Sequence, residues 1–281
     1  MTEVRLVLDY DDHEQGQTME KLIEELAVKP ESRELHSLII GSWGDAYEND
    51  SSALAQAIIQ AREQFPNLTK LFIGDMEGEE CEISWIKQSD LTPLLDAYPK
   101  LQSFTVQGSE GLRLTQLKHA HLEELIIICG GLPLEVIQDI QTAELPELKK
   151  LELYLGVDNY GWNGSLDDLK PFMSKALFPK LTYLGLKNSE IQDEIAIAIA
   201  DAPILDQLHT LDLSQGTLSD IGAEALLVSS RIQKLSFLNL SYHYMSEAMI
   251  KRWKESGIQV DVSDEQGGAD EDDWRYPAVT E

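Results

Sequence analysis

The chain has 281 residues, 43% of them hydrophobic, which is enough to fill a core and excludes wholesale disorder. Its 50 Asp and Glu against 22 Lys and Arg leave a formal charge of −28. A field of that sign opposes nucleic-acid phosphates and anionic lipid and leaves basic partners, cations and other proteins. No apolar run approaches the roughly 20 residues of a membrane span. Met1 to Arg5 lacks the layout of a secretion signal, and Cys81 and Cys129 are too few for a disulfide framework, so a cytoplasmic location is expected.

In chain order, Val4, Leu6 and Leu8 alternate as a short strand, and the stretch from Thr18 to Val28 reads as a helix. Together they predict an N-terminal cap over residues 1–34. From Leu35 onward one phrase recurs: a leucine, two variable residues, an apolar residue, one variable residue, another apolar residue. The copies are Leu35, Leu38, Ile40; Leu68, Leu71, Ile73; Leu101, Phe104, Val106; Leu122, Leu125, Ile127; Leu148, Leu151, Leu153; Leu181, Leu184, Leu186; Leu208, Leu211, Leu213; and Leu235, Leu238, Leu240. Their leading leucines are offset by 33, 33, 21, 26, 33, 27 and 27 residues. Pro66, Pro99, Pro146 and Pro179 each stand two residues before a leading leucine, where proline stops a helix and favours extended chain.

Apolar residues two apart share one face of a strand, and strands of this length cannot bury that face alone. Stacked in parallel they form a continuous sheet, with the intervening segments returning along the other side. Those returns are predicted as helices. Ala53 to Ala61 follows Ser51 and Ser52 as N-caps, and Ser189 to Gln192 fits a capping box. Ser219 and Ser246 open two further helices. Ile258, Val260 and Val262 give a last strand. Residues 263–281 form an acidic tail, with 264–273 expected in solvent and Trp274 to Pro277 expected to fold back on the last repeat.

The eight phrases resemble the leucine-rich-repeat family. The helical returns and offsets of 26 to 33 are similar to its ribonuclease-inhibitor subclass. The asparagine of that pattern stands only in the sixth copy, as Asn188. The resemblance implies an α/β solenoid of horseshoe shape, with a parallel inner sheet and outer helices over residues 35–262. The segments Leu38 to Asp50 and Cys81 to Asp90, with the acidic C-terminal stretch ending in Tyr276, are similar to an uncharacterised bacterial family of leucine-rich-repeat proteins. That likeness brings no site residue. That family's association with gene clusters encoding enzymes such as radical-SAM and ATP-grasp proteins implies an accessory role beside a modifying pathway.

Alternation alone assigns the inner face. Its residues include Lys70 and Phe72; Lys150, Glu152 and Tyr154; Tyr183 and Lys187; Thr210 and Asp212; and Phe237 and Asn239. Of these, the aromatics Phe72, Tyr154, Tyr183 and Phe237 are candidate partner-binding anchors. The loops after the first, second and fifth full strands mix carboxylates with Trp and Tyr. Trp43, Asp45 and Tyr47, then Asp75 and Glu79, then Tyr160 and Trp162 are candidate partner-binding residues on one rim. The alternative for the aromatics is a satellite core under the loops, which is favoured for Trp85 on the helical side. His119 and His121 read as packing before a short repeat. Gly130-Gly131 lacks the rest of a nucleotide fingerprint, and no catalytic signature is present. The sequence therefore predicts a non-catalytic interaction module for a basic protein partner, with no cofactor and no metal. An inhibitor of a basic enzyme such as a ribonuclease is the alternative, and a metal-dependent enzyme subunit using the acidic rim the second. The oligomeric state is left open.

Overall fold

The computed structural model describes residues 2–267 and 274–281. Part of the acidic stretch, residues 268–273, lies outside the described residues. The chain divides into two compact units: Met1–Cys129 with Gln138–Leu148 and Glu281, and Gly130–Ile137 with Lys149–Thr280.

The first unit carries β1 (Glu3–Leu6), β2 (Ser37–Ile40), β3 (Lys70–Ile73), β4 (Ser103–Gln107) and β5 (Glu124–Ile128). Each pairs in parallel with the next, and the repeat sets the register: Leu38 lies beside Leu71, Leu71 beside Phe104, and Phe104 beside Leu125. Its helices are α1 (Tyr10–Glu14), α2 (Met19–Ala27), α3 (Ser52–Gln60) and α4 (Thr92–Ala97). The second unit carries β6 (Lys150–Gly156), β7 (Tyr183–Ser189), β8 (Thr210–Asp212), β9 (Phe237–Asn239) and β10 (Val260–Asp261), again parallel neighbours in chain order. Between them run α6 (Leu166–Leu169), α7 (Gln192–Ile199), α8 (Asp220–Leu227) and α9 (Glu247–Glu255), while α5 (Leu134–Gln141) straddles the unit boundary. The fold is an α/β leucine-rich-repeat solenoid. Every apolar residue of the eight phrases is buried, as the period of two requires. Among the described residues, no helix is long and apolar enough to cross a membrane.

The returns depart from expectation in places. Between β4 and β5, the copy with the 21-residue offset, no helix forms; residues 108–123 are turns and isolated bridges. Ser51 caps α3 without a side-chain hydrogen bond, and Asp50 Oδ1 instead accepts from the Ser52 N–H at 2.9 Å. The capping box at Ser189 is not formed. Ser189 ends β7, its Oγ accepts from the Ile191 N–H at 3.2 Å, and α7 begins only at Gln192. Ser219 and Ser246 cap as expected, accepting from Ile221 and Met249.

Two ladders tie successive repeats together. At the strand N-terminal end, the residue before a leading leucine bonds the carbonyl two residues before the previous one. Asn67 Nδ2 donates to Arg33 O (2.8 Å), Lys100 Nζ donates to Pro66 O (3.1 Å), and His121 Nδ1 lies 2.9 Å from Pro99 O. His119 is buried beside it, with Nε2 3.1 Å from Tyr98 O, so both histidines pack at this edge. Past the strands, the position held by Asn188 in its repeat is held by Gln215, Tyr242 and Asp264 in the next three. All four take left-handed backbone, with φ of 54°, 65°, 58° and 59°. The turn geometry thus persists where the asparagine does not.

Candidate functional site

In the second unit the alternate side chains of β6 to β9 build one polar cluster. Lys150, Tyr183, Thr210 and Phe237 share one register row, and Glu152, Gly185, Asp212 and Asn239 share the next. Gly185 leaves the row open at its middle: a Cβ there would lie 3.1 Å from Glu152 Cγ and 3.4 Å from Lys187 Cδ. Through that gap Lys187 Nζ reaches Glu152 Oε1 at 3.1 Å, Tyr154 Oη at 3.2 Å and Asp212 Oδ2 at 3.6 Å. Glu152 Oε2 accepts from Lys150 Nζ at 2.9 Å. Asp212 Oδ2 accepts from Tyr183 Oη at 2.7 Å and from Asn239 Nδ2 at 3.1 Å, and its Oδ1 accepts from the Ser214 N–H at 3.0 Å. The ammonium groups of Lys187 and Lys150 each lie 4.7 Å from a ring centroid, of Tyr154 and Tyr183 respectively.

Two cations and two carboxylates therefore neutralise one another on a buried floor, and Asp212 is only 3% exposed. The protonation states follow from this arrangement. Burial works against the Glu152 carboxylate, but Lys187 and Lys150 outweigh it and hold its pKa below the ordinary value. Burial also works against the Lys187 ammonium, and Asp212 and Glu152 outweigh it, so that pKa rises. Burial first, then the charges of Asp212 and Glu152, push the Tyr183 phenol up; burial dominates at Tyr154 as well. All four groups keep their ordinary charges at neutral pH. The charges of the cluster are thus compensated within it, by the contacts that hold Lys187 to Glu152 and Asp212.

Tyr154 and Tyr183 thus meet in one cluster, and Phe237 stands half-buried in the Tyr183 row. In the first unit Phe72 shares a register row with Ile39, Thr105 and Ile126, each half-buried, and the row continues from Ile39 to the exposed Arg5. The rim residues fare differently. Trp43 is 7% exposed with Nε1 donating to Asn49 O at 3.0 Å, and Trp162 is 3% exposed, so both indoles pack beneath their loops. Tyr47 stays exposed and donates to Asp45 Oδ1 at 3.3 Å, and Asp45 Oδ2 lies 3.7 Å from His13 Nδ1. Asp75 is held by Arg5 at 2.6 Å, Glu79 is exposed, and Tyr160 is half-buried in the turn Asp158–Tyr160. Trp85, expected among the packed aromatics, is 55% exposed. Among the described residues no group of three or more His, Cys, Asp and Glu could hold a metal ion.

The Gly130-Gly131 pair has a packing role. A Cβ on Gly131 would collide with the backbone of Tyr160 and Trp162, and one on Gly130 with the backbone of Thr280. That contact belongs to a C-terminal segment laid across the strand ends of the second unit. Tyr242 and Tyr244 hydroxyls donate to Tyr276 O, the Ala278 N–H donates to Gln215 O at 2.8 Å, and Asn188 clamps the Val279 peptide from both sides, at 2.8 and 2.5 Å. Trp274 is 78% exposed, so the fold-back expected of this segment is made by backbone and Arg275, which lies 3.5 Å from Asp193.

A solved structure of a Bacteroides fragilis protein, a Northeast Structural Genomics Consortium target, superposes on this chain with a TM-score of 0.92. It is 36% identical over 99% of this chain and 77% of that one. The chain belongs to that protein's family. An internalin from Listeria monocytogenes matches at 13% identity and a TM-score of 0.32, over 84% of this chain and 81% of that one, a similarity too low to carry an argument. No protein-family model and no curated protein matches the chain.

Proposed function

We propose that this protein is a non-catalytic interaction scaffold that binds a basic protein partner through the alternate faces of its strands. One observation carries the reading. The outward rows offer Ile39, Phe72 and Ile126 in one unit and Tyr183 and Phe237 in the other, the latter set on a cluster whose own charges are already neutralised. Such rows present aromatic area on a fixed base, as interface anchors require. The net charge of −28 steers a basic partner and raises its association rate.

The test is partner capture from the native cell with the wild-type chain and with Phe72→Ala and Tyr183→Ala, followed by kinetics against salt. Each substitution is expected to weaken one and the same partner by about tenfold or more. Rising salt is expected to slow association more than it speeds dissociation. A partner retained equally by both variants would refute this face as the binding surface. If the captured partner is a basic enzyme that loses activity in the complex, the scaffold acts as an inhibitor.

A further inference from the structure

A second site, independent of the strand faces, lies at the strand N-terminal edge of the first unit. A cleft of about 370 Å³ opens there between the turns Pro30–Glu34 and Ala61–Glu63 and the end of α4. Its lining includes Arg33, Arg62, Lys100 and one acid, Glu63, over apolar surface from Pro66 and Pro99. Tyr98 is buried, 4% exposed, beneath this lining, and its hydroxyl donates to Ile58 O at 2.6 Å, so its donor is already used.

The cations are unusual for this protein. Of its seven arginines, Arg5, Arg113, Arg231, Arg252 and Arg275 each form an ion pair with a carboxylate. Among the described residues the two arginines without an ion pair are Arg33 and Arg62, and both line this one cleft. Among the described residues Lys100 forms no ion pair, and its Nζ donates to the Pro66 carbonyl at 3.1 Å. In a chain with 50 carboxylates, two guanidinium groups without a carboxylate partner among the described residues, Arg62 donating only weakly to Ile59 O at 3.4 Å, are a selective arrangement at one opening. The repeat explains how they come together: an offset of 33 residues stacks Arg33, Pro66 and Pro99 in successive repeats, and the carbonyl ladder fixes that edge.

We propose that this cleft binds a small phosphate monoester carrying an apolar or aromatic body. Three cations against Glu63 leave a local excess of two positive charges, which matches the charge of about −1.5 to −2 on a phosphomonoester at neutral pH. Guanidinium forks bind phosphate oxygens in pairs, and the ammonium adds a point charge. Pro66 and Pro99 supply the apolar wall for the organic part, as in most small-molecule sites. The protein's long-range field opposes any anion, but beyond about 8 Å it is screened at physiological salt, so the local cations govern the last step of binding.

The test is a titration of the full-length chain by isotope-edited NMR with phenyl phosphate, inorganic phosphate and benzoate as probes. Phenyl phosphate is expected to shift resonances around Tyr98 and Arg62 saturably, with a dissociation constant of about 1 mM or below. Both arginine side chains are exposed, so Arg33→Gln with Arg62→Gln is expected to keep the wild-type melting temperature and to bind phenyl phosphate at least about tenfold more weakly. Lys234→Gln with Lys254→Gln removes two exposed charges elsewhere and is expected to leave binding unchanged. Unchanged affinity in the arginine variant, or no saturable shift with phenyl phosphate, would overturn the site. Inorganic phosphate binding as tightly as phenyl phosphate would overturn the apolar wall, and benzoate binding as tightly would overturn the assignment to phosphate.

Discussion

The buried cluster of the second unit gives the sharpest test of the fold. Lys187→Met keeps the length and apolar stem of the side chain and deletes its ammonium, which now lies within 3.6 Å of both Glu152 and Asp212. Removing one member of a buried ion pair costs about 3–5 kcal/mol, because a carboxylate is left desolvated. Here Glu152 retains Lys150, and Asp212 retains bonds from Tyr183, Asn239 and Ser214. The lower end, about 3 kcal/mol, is therefore expected. For a unit of this size that is a fall of about 6–12 °C in melting temperature.

The pH dependence has a definite sign. Glu152 titrates below its ordinary 4.5, so its stabilisation is complete above that value and is lost as pH falls through the lower folded value. Lys187 titrates above its ordinary 10.5, so its share is complete below 10.5 and is lost only as pH climbs through the higher folded value. The wild-type contribution of these two groups is thus flat between about pH 6 and 9, and the deficit of Lys187→Met shrinks in acid as the Glu152 carboxyl takes up its proton. Urea unfolding across this range, with Glu152→Gln and the double variant closing a cycle, measures both the loss and the coupling. A loss under about 1 kcal/mol, the value of an exposed pair, would refute the description of a buried, interdependent cluster.

Gly156→Ala is expected to abolish folding of the second unit or cost more than about 3 kcal/mol, because φ is +73° and a Cβ would collide with Gly130 O; circular dichroism and thermal melting check this, and a near-normal melt would contradict the close approach. Asn188→Gly keeps the left-handed backbone and deletes only the amide that clamps Val279, so hydrogen exchange in residues 274–281 is expected to rise with the strand amides of β7 little changed. Unchanged protection there would show that the segment is held by other contacts.

The strands were legible because each phrase states its own period. Leu35, Phe104 and Leu240 report a buried face without reference to any neighbour, and all are buried. The outward residues were legible only as a face. Lys150, Glu152, Lys187 and Asp212 alternate correctly, yet their mutual burial depends on Gly185, whose missing side chain lets four groups from three strands converge. A charge of each sign one repeat apart was the available signal. The rim was less legible still. Trp43 and Trp162 are buried while Trp85 is exposed, because loop packing is decided by contacts such as the bond from Trp43 Nε1 to Asn49 that no periodicity encodes. The capping box at Ser189 misled because a strand of seven residues, Tyr183–Ser189, extends into it. The arginine cleft is not legible in the sequence because Arg33 and Arg62 are 29 positions apart and come to one opening through the 33-residue stack.

In a solenoid each repeat touches only its neighbours, so such chains can melt from one end, unit by unit. The segment bearing Tyr276, Ala278 and Val279 runs athwart that order, bonding the turns at Tyr242, Gln215 and Asn188 in succession before passing Gly130. It works as a batten nailed across planks: none of the turns it crosses can open without pulling on the others. Fraying from the β10 end is thereby expected to become a concerted transition, with the last few residues setting its cooperativity.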